Sequence, residues 1–234
     1  MQDFSKYQQF AKDTLGINFN DITLLVTAFT HRSYVNEHKK LAIEHNERLE
    51  FLGDAVLELI STEYLYNRFK DPEGTLTNWR SSLVRTESIS AAASRLGFEP
   101  LLRLSRGEKR GTDRARAQIL ANCYEAVLGA IYLDNGYETT KIFIQNSLLN
   151  TFDQILKEGS WMDPKSYLQE IAQSEEGLTP TYKVLDEVGP DHDKDFTVGV
   201  FINGKLRGKG SGPSKQIAQV AAAKSALKLY KELK

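Results

Sequence analysis

Cysteine is almost missing from this sequence: Cys123 is the single one in 234 residues. One thiol excludes an intrachain disulfide framework and a cysteine-rich zinc site, and it fits a reducing compartment. An excess of either charge is missing as well. With 30 Lys+Arg against 31 Asp+Glu the formal net charge is −1, which excludes a histone-like polycation, so any nucleic-acid surface has to be local. Long apolar runs are also wanting. The longest nearly apolar stretch, residues 119–133, is too short to span a bilayer and is interrupted by Asn122 and Glu125. Met1-Gln2-Asp3-Phe4 offers no basic segment leading into an apolar core, so no signal peptide is expected. These absences point to a cytoplasmic protein without a membrane segment, long enough for two domains with separate cores.

What is present divides in two. Residues 1–157 read as mostly helical, with apolar residues at helical spacing, few prolines, and breaks at Gly16, Asp71 to Gly74, Gly97 to Pro100 and Gly107 to Gly111. Residues 158–162 read as a linker. In residues 163–234, Asp163-Pro164 marks a helix start, an N-cap with proline at the first helical position, and that helix runs to about Ser174. A strand around Tyr182 to Leu185, a loop at Gly189-Pro190-Asp191-His192 and an alternating strand from Phe196 to Ile202 follow. Asn203-Gly204 supplies a two-residue hairpin turn, and Ser214 caps a last helix lined with Ala218, Ala222 and Ala226. The order is α-β-β-β-α.

The chemistry is concentrated in two helices. At 100° per residue on a helix over 44–67, Glu47, Glu50, Asp54 and Glu58 fall in a stripe about 80° wide, a narrow acidic seam without interspersed cations. Like charges at this spacing repel, the more so when partly buried, so the seam is either a solvated stripe or needs a compensating cation. From Ile119 to Leu133 the strongly polar residues are Asn122 and Glu125, on one face, and Gly129 continues that face with room for close approach. A glutamate in so apolar a helix must find a partner: an arginine such as Arg85 or Arg95, or a metal. Carboxylate and amide oxygens without clustered soft ligands suit Mg²⁺, with Mn²⁺ as a substitute, rather than zinc. A divalent ion held in this way is a standard device for phosphodiester hydrolysis.

The run His45-Asn46-Glu47-Arg48-Leu49-Glu50-Phe51-Leu52-Gly53-Asp54-Ala55-Val56-Leu57 resembles the signature of the bacterial ribonuclease III catalytic domain. Thr30 to Tyr34, Glu73-Gly74, Leu83 to Arg85 and Glu125 to Asp134 add to it, and the resemblance covers essentially the whole chain. It implies an all-α helical endonuclease domain followed by a small α+β double-stranded RNA-binding domain, and an Mg²⁺-dependent endoribonuclease that cuts duplex RNA. It further implies 5′-phosphate and 3′-hydroxyl ends with short 3′ overhangs, processing of ribosomal and other structured RNA, and a homodimer with no small-molecule cofactor. Carried over residue by residue, it makes Glu50, Asp54, Asn122 and Glu125 the metal site, with Asp54 and Glu125 catalytic. Glu47 and Glu73 become auxiliary acids, the former near the dimer interface.

One departure stands at residue 122, which is usually Asp in such enzymes and here is Asn. The amide oxygen can still coordinate Mg²⁺, but the site loses a negative charge. Natural variation and a disabling substitution both fit the sequence, so a catalytically silent duplex-binding protein is the competing reading. A phosphohydrolase of small molecules would leave the second domain unexplained.

In that second domain the resemblance makes Gln169 and Gln173, one turn apart, a groove-facing pair for 2′-hydroxyls and base edges. Pro190 and His192 lie on a loop suited to a second minor groove, and Lys215 with the amides at the start of the last helix favours phosphate, while the RNA-binding position after it, usually basic in the family, is Gln216. The alanine run is read as packing. Residues 163–234 hold 11 Lys+Arg against 10 Asp+Glu, which predicts weaker and less salt-sensitive RNA binding than in a lysine-rich relative.

Overall fold

A computed structural model of the chain describes residues 4–40, 43–158, 163–190 and 194–232. It forms two compact units, residues 1–158 and 159–234. Residues 159–162 of the expected linker, and Asp191 and His192 of the expected RNA-contacting loop, lie outside the described residues.

The first unit is helical: α1 (Ser5–Phe10) runs on into a wider turn at Ala11–Leu15, then come α2 (Ile22–Ala28), α3 (Arg32–Glu37) and α4 (Glu47–Arg68). They are followed by α5 (Glu73–Leu83), α6 (Thr86–Arg95), α7 (Asp113–Ser147) and α8 (Phe152–Glu158). Its core is built on α4 and α7, with Leu57, Ile60, Tyr124, Val127, Leu128 and Ile131 fully buried or nearly so. An aromatic cluster of Tyr7, Phe10, Phe29 and Phe98 closes one side of it.

Three boundaries differ from the sequence reading, each for a local reason. Helix α4 starts at Glu47 rather than at 44, because Asn46 is buried and tied to the end of α2: its backbone N–H donates to Thr30 O and its side chain to Ala28 O. Glu73-Gly74 is the first turn of α5 rather than a break, entered from Pro72. Helix α7 continues past Leu133 through a kink at Gly136, whose φ of 78° is a left-handed value that glycine adopts without strain. Beside the kink, the Asp134 carboxylate accepts from the backbone N–H groups of Asn20 and Asp21, both at 2.8 Å, and so fixes the entry to α2.

The second unit has the predicted order: α9 (Pro164–Glu176), β1 (Thr181–Val188), β2 (Asp195–Ile202), β3 (Lys205–Gly212) and α10 (Lys215–Glu232). The sheet is antiparallel in the order β1-β2-β3. Asp163 caps α9 by accepting from the N–H groups of Lys165 and Ser166. Asn203 and Gly204 both take positive φ, 52° and 70°, as the tight hairpin requires. Val198, Val200 and Ile202 alternate inward onto Leu168, Ala172, Ala218, Ala222 and Ala226, so the alanines do pack. They let α10 sit directly on β3, where a Cβ on Gly208 or Gly210 would come within 2.5 Å of the helix.

Candidate active site

Helices α4 and α7 touch through two glycines. A Cβ placed on Gly53 would lie 1.7 Å from the carbonyl oxygen of Glu125, and one on Gly129 would lie 2.3 Å from that of Leu49. No other residue fits either place without moving a backbone. Backbone contact at Gly53 sets the acids that flank it, Glu50 and Asp54, against Asn122 and Glu125 on α7. The sequence pattern singled out Gly129 for close approach; Gly53 is its counterpart, a small residue between two acids three before and one after.

The four side chains are electrostatically one group. Glu125 is half-buried, and its carboxyl is pushed up to about 7 by burial first and then by the charges of Asp54 and Glu50. Glu50 is also raised, by burial and by Glu47 and Asp54, while a hydrogen bond from the Asn122 side chain works the other way. The expected arginine partners are engaged elsewhere: Arg85 with Ser88, and Arg95 with the Ser147 carbonyl. Among the described residues no ion pair reaches Glu50, Asp54 or Glu125. Cys123, between the two α7 site residues, is fully buried in the core, and burial pushes its thiol well up.

The seam is less uniform in space than along the helix. Its ends carry cations from elsewhere in the chain: Arg32 pairs with Glu47 at 3.2 Å, and Arg80 with Glu58 at 3.1 Å. The middle is therefore where negative charge is left uncompensated. Glu73, exposed at the start of α5, lines a groove with Thr62, Tyr66 and Arg80 and is not among the charges that bear on Glu50 or Glu125.

Three carboxylates and a carboxamide are an oxygen-only donor set, which is the chemistry of Mg²⁺ or Mn²⁺. Among the described residues no three Asp, Glu, His or Cys side chains stand close enough together to hold a metal ion as they are placed, so an ion here would have to draw the carboxylates in. Carboxylates without a counter-ion repel one another, and the charges of Asp54 and Glu50 add to burial in raising the proton affinity of Glu125. The group fits a divalent cation by its charge and donor type.

In the second unit Gln169 and Gln216, both exposed, line one shallow pocket with Asp163, Lys165 and Tyr182. Gln173 is directed to Thr179. Lys215 opens α10 with its ammonium over the Phe196 ring, at the end of the sheet where β1 runs out toward the exposed Pro190.

Comparison with known proteins accounts for both units. Residues 21–152 match the Ribonuclease-III-like family model, and residues 164–230 match the double-stranded RNA binding motif. Ribonuclease 3 of Streptococcus gordonii is 44% identical over 94% of this chain and 95% of its own length; that of Desulforamulus reducens is 48% identical over 92% and 88%. The solved nuclease domain of ribonuclease III from Campylobacter jejuni superposes with a TM-score of 0.53 at 35% identity, covering 59% of this chain and 96% of that one. The chain belongs to the ribonuclease III family, as a helical nuclease domain followed by a double-stranded RNA-binding domain, and is an endoribonuclease.

Proposed function

We propose that the chain hydrolyses phosphodiester bonds of double-stranded RNA at the α4–α7 cluster, with Mg²⁺ held by Glu50, Asp54, Glu125 and the Asn122 amide oxygen. The observation that carries this reading is a group of carboxylates, set on facing helices by the Gly53–Gly129 crossing, that no ion pair among the described residues neutralises. A bound divalent ion supplies charge neutralisation and water activation at the scissile phosphate. Asp54 and Glu125 orient water and phosphate between the two helices, and Glu50 completes the negative cradle. Glu47, paired with Arg32, holds the rim, and Glu73 acts as an auxiliary acid from outside the cluster. The products expected are 5′-phosphate and 3′-hydroxyl ends with short 3′ overhangs, with ribosomal and other structured RNAs as cytoplasmic substrates.

Duplex RNA is recruited by the second domain through Gln169, Gln173, Pro190, His192, Lys215 and Gln216, which suit A-form grooves and phosphates. The test is cleavage of a long perfect duplex by the purified chain. Cutting with Mg²⁺, none with chelator and none of single-stranded RNA is the expected result. Binding without cutting, restored by Asn122→Asp, would identify a silent duplex-binding protein instead. If the Asn122→Asp chain also binds without cutting, the nuclease reading fails for this chain and the duplex-binding reading replaces it.

The same reading includes a homodimer. Phe51 is 81% exposed and Leu133 55% exposed, and both line an open groove of about 1090 Å³ with Leu24, Val26, Leu49 and Leu52. A water-facing apolar surface of this kind on a folded domain marks a contact face. Phe51→Asp is expected to convert a dimer to a monomer in analytical ultracentrifugation and to weaken cleavage. An unchanged sedimentation coefficient would place the contact face elsewhere.

A further inference from the structure

Residue 122 is an amide, and an amide has a donor end and an acceptor end. Gln118 lies one turn before it on the same stripe of α7, exposed, and its Nε2 donates to Asn122 Oδ1 at 2.7 Å. The amide nitrogen of Asn122 is thereby left for the side of Glu50, whose carboxyl the neighbouring Asn122 side chain draws down as a donor does. The atom of Asn122 able to coordinate a cation is thus committed to Gln118, while the atom that faces the carboxylates is one that no cation accepts. No other hydrogen bond holds the Gln118 side chain among the described residues.

We propose that Gln118 is a positioning residue that determines which end of the Asn122 carboxamide faces the carboxylates, and through it how tightly the site takes a divalent cation. The inference rests on the reading of Asn122 as a metal ligand. With its nitrogen inward, Asn122 acts as a neutral cap on Glu50. With its oxygen inward, it is a ligand and its nitrogen turns outward. Gln118 as placed holds the first state, and the second requires its own exposed carboxamide to turn over, so that Oε1 accepts from Asn122 Nδ2 where Nε2 had donated to Oδ1. An aspartate at 122 has two equivalent acceptor oxygens and needs no such partner.

Donor-only and acceptor-only side chains at 118 separate the two orientations. Gln118→Lys can only donate to Asn122 and holds the nitrogen inward; Gln118→Glu can only accept and turns the oxygen inward. Mn²⁺ affinity of the full chain is measured by electron paramagnetic resonance for both variants, in the native and the Asn122→Asp backgrounds. The measurements are made at about 1 M KCl, where a Debye length of about 3 Å screens the plain effect of the exposed charge. The expected result is Mn²⁺ binding about tenfold tighter for Gln118→Glu than for Gln118→Lys with Asn122 present, and near-equal binding in the Asn122→Asp chains. Equal ratios in the two backgrounds overturn the inference and leave the metal site standing. Failure of every chain to bind Mn²⁺ overturns the metal site and the inference together.

Discussion

Replacing Glu125 with Gln is expected to lower duplex cleavage at least about 10³-fold, because it removes a charged ligand from the centre of the proposed site. The same substitution is expected to stabilise the metal-free chain at neutral pH. In the folded protein the Glu125 carboxyl titrates near 7 against an ordinary value of 4.5. Between those values the folded form holds a proton that the unfolded chain has released. Folding takes up a proton in that window, so this group's contribution to stability falls as the pH rises from about 4.5 to about 7. Glutamine does not titrate, and it leaves Glu50 and Asp54 without their buried neighbour charge. In chelator, the thermal midpoint of the native chain should drop relative to Glu125→Gln between pH 5 and pH 7.5. Added Mg²⁺ should then raise the native midpoint more than that of the variant. A variant that cuts normally would remove Glu125 from the chemistry. A native chain that gains on the variant as the pH rises would mean that the cluster is not repulsive.

The second large effect needs no change of charge. Gly53→Ala introduces a methyl group 1.7 Å from the Glu125 carbonyl, so α4 and α7 must separate along the whole crossing. The cost expected is at least about 3 kcal/mol, at the upper end for overpacked cores, or a fall in midpoint of about 6–12 °C. Cleavage should fall with it, although every carboxylate is still present. Gly74→Ala is the matched control: its added methyl meets nothing within 4 Å, and in the first turn of α5 it should be neutral or slightly stabilising. If Gly53→Ala melts and cuts like the native chain, the crossing is not what holds the site.

Much of this was legible in the residues. The seam at 47, 50, 54 and 58, the pair at 122 and 125, and Gly129 on their face are consequences of helical periodicity alone. In the second unit the alternation over 196–202, the Asn203-Gly204 turn and the alanine spacing each carry local geometry in local chemistry. What periodicity could not give was anything set by distant partners. Helix α4 starts late because Asn46 is anchored to Ala28 and Thr30, and nothing near Asn46 in the chain announces that. The seam's neutralised ends depend on Arg32 and Arg80, which other helices bring in. Gln118 reads as an ordinary exposed polar residue until its bond to Asn122 is seen. Glu73 shares the seam's chemistry on paper, but its helix places it beside Arg80 rather than beside Glu125.

The contact at Gly53 and Gly129 also limits how this enzyme can diverge. Most active sites are adjusted over evolutionary time by exchanging side chains in the layer between their supporting elements. Here that layer does not exist, because main chain lies against main chain. The spacing of the carboxylates is inherited with the core, and only the rotamers at 50, 54, 122 and 125 remain to be tuned. Changes in which RNAs are chosen therefore have room in the loops and in the second domain, while the separation of the two site helices stays fixed.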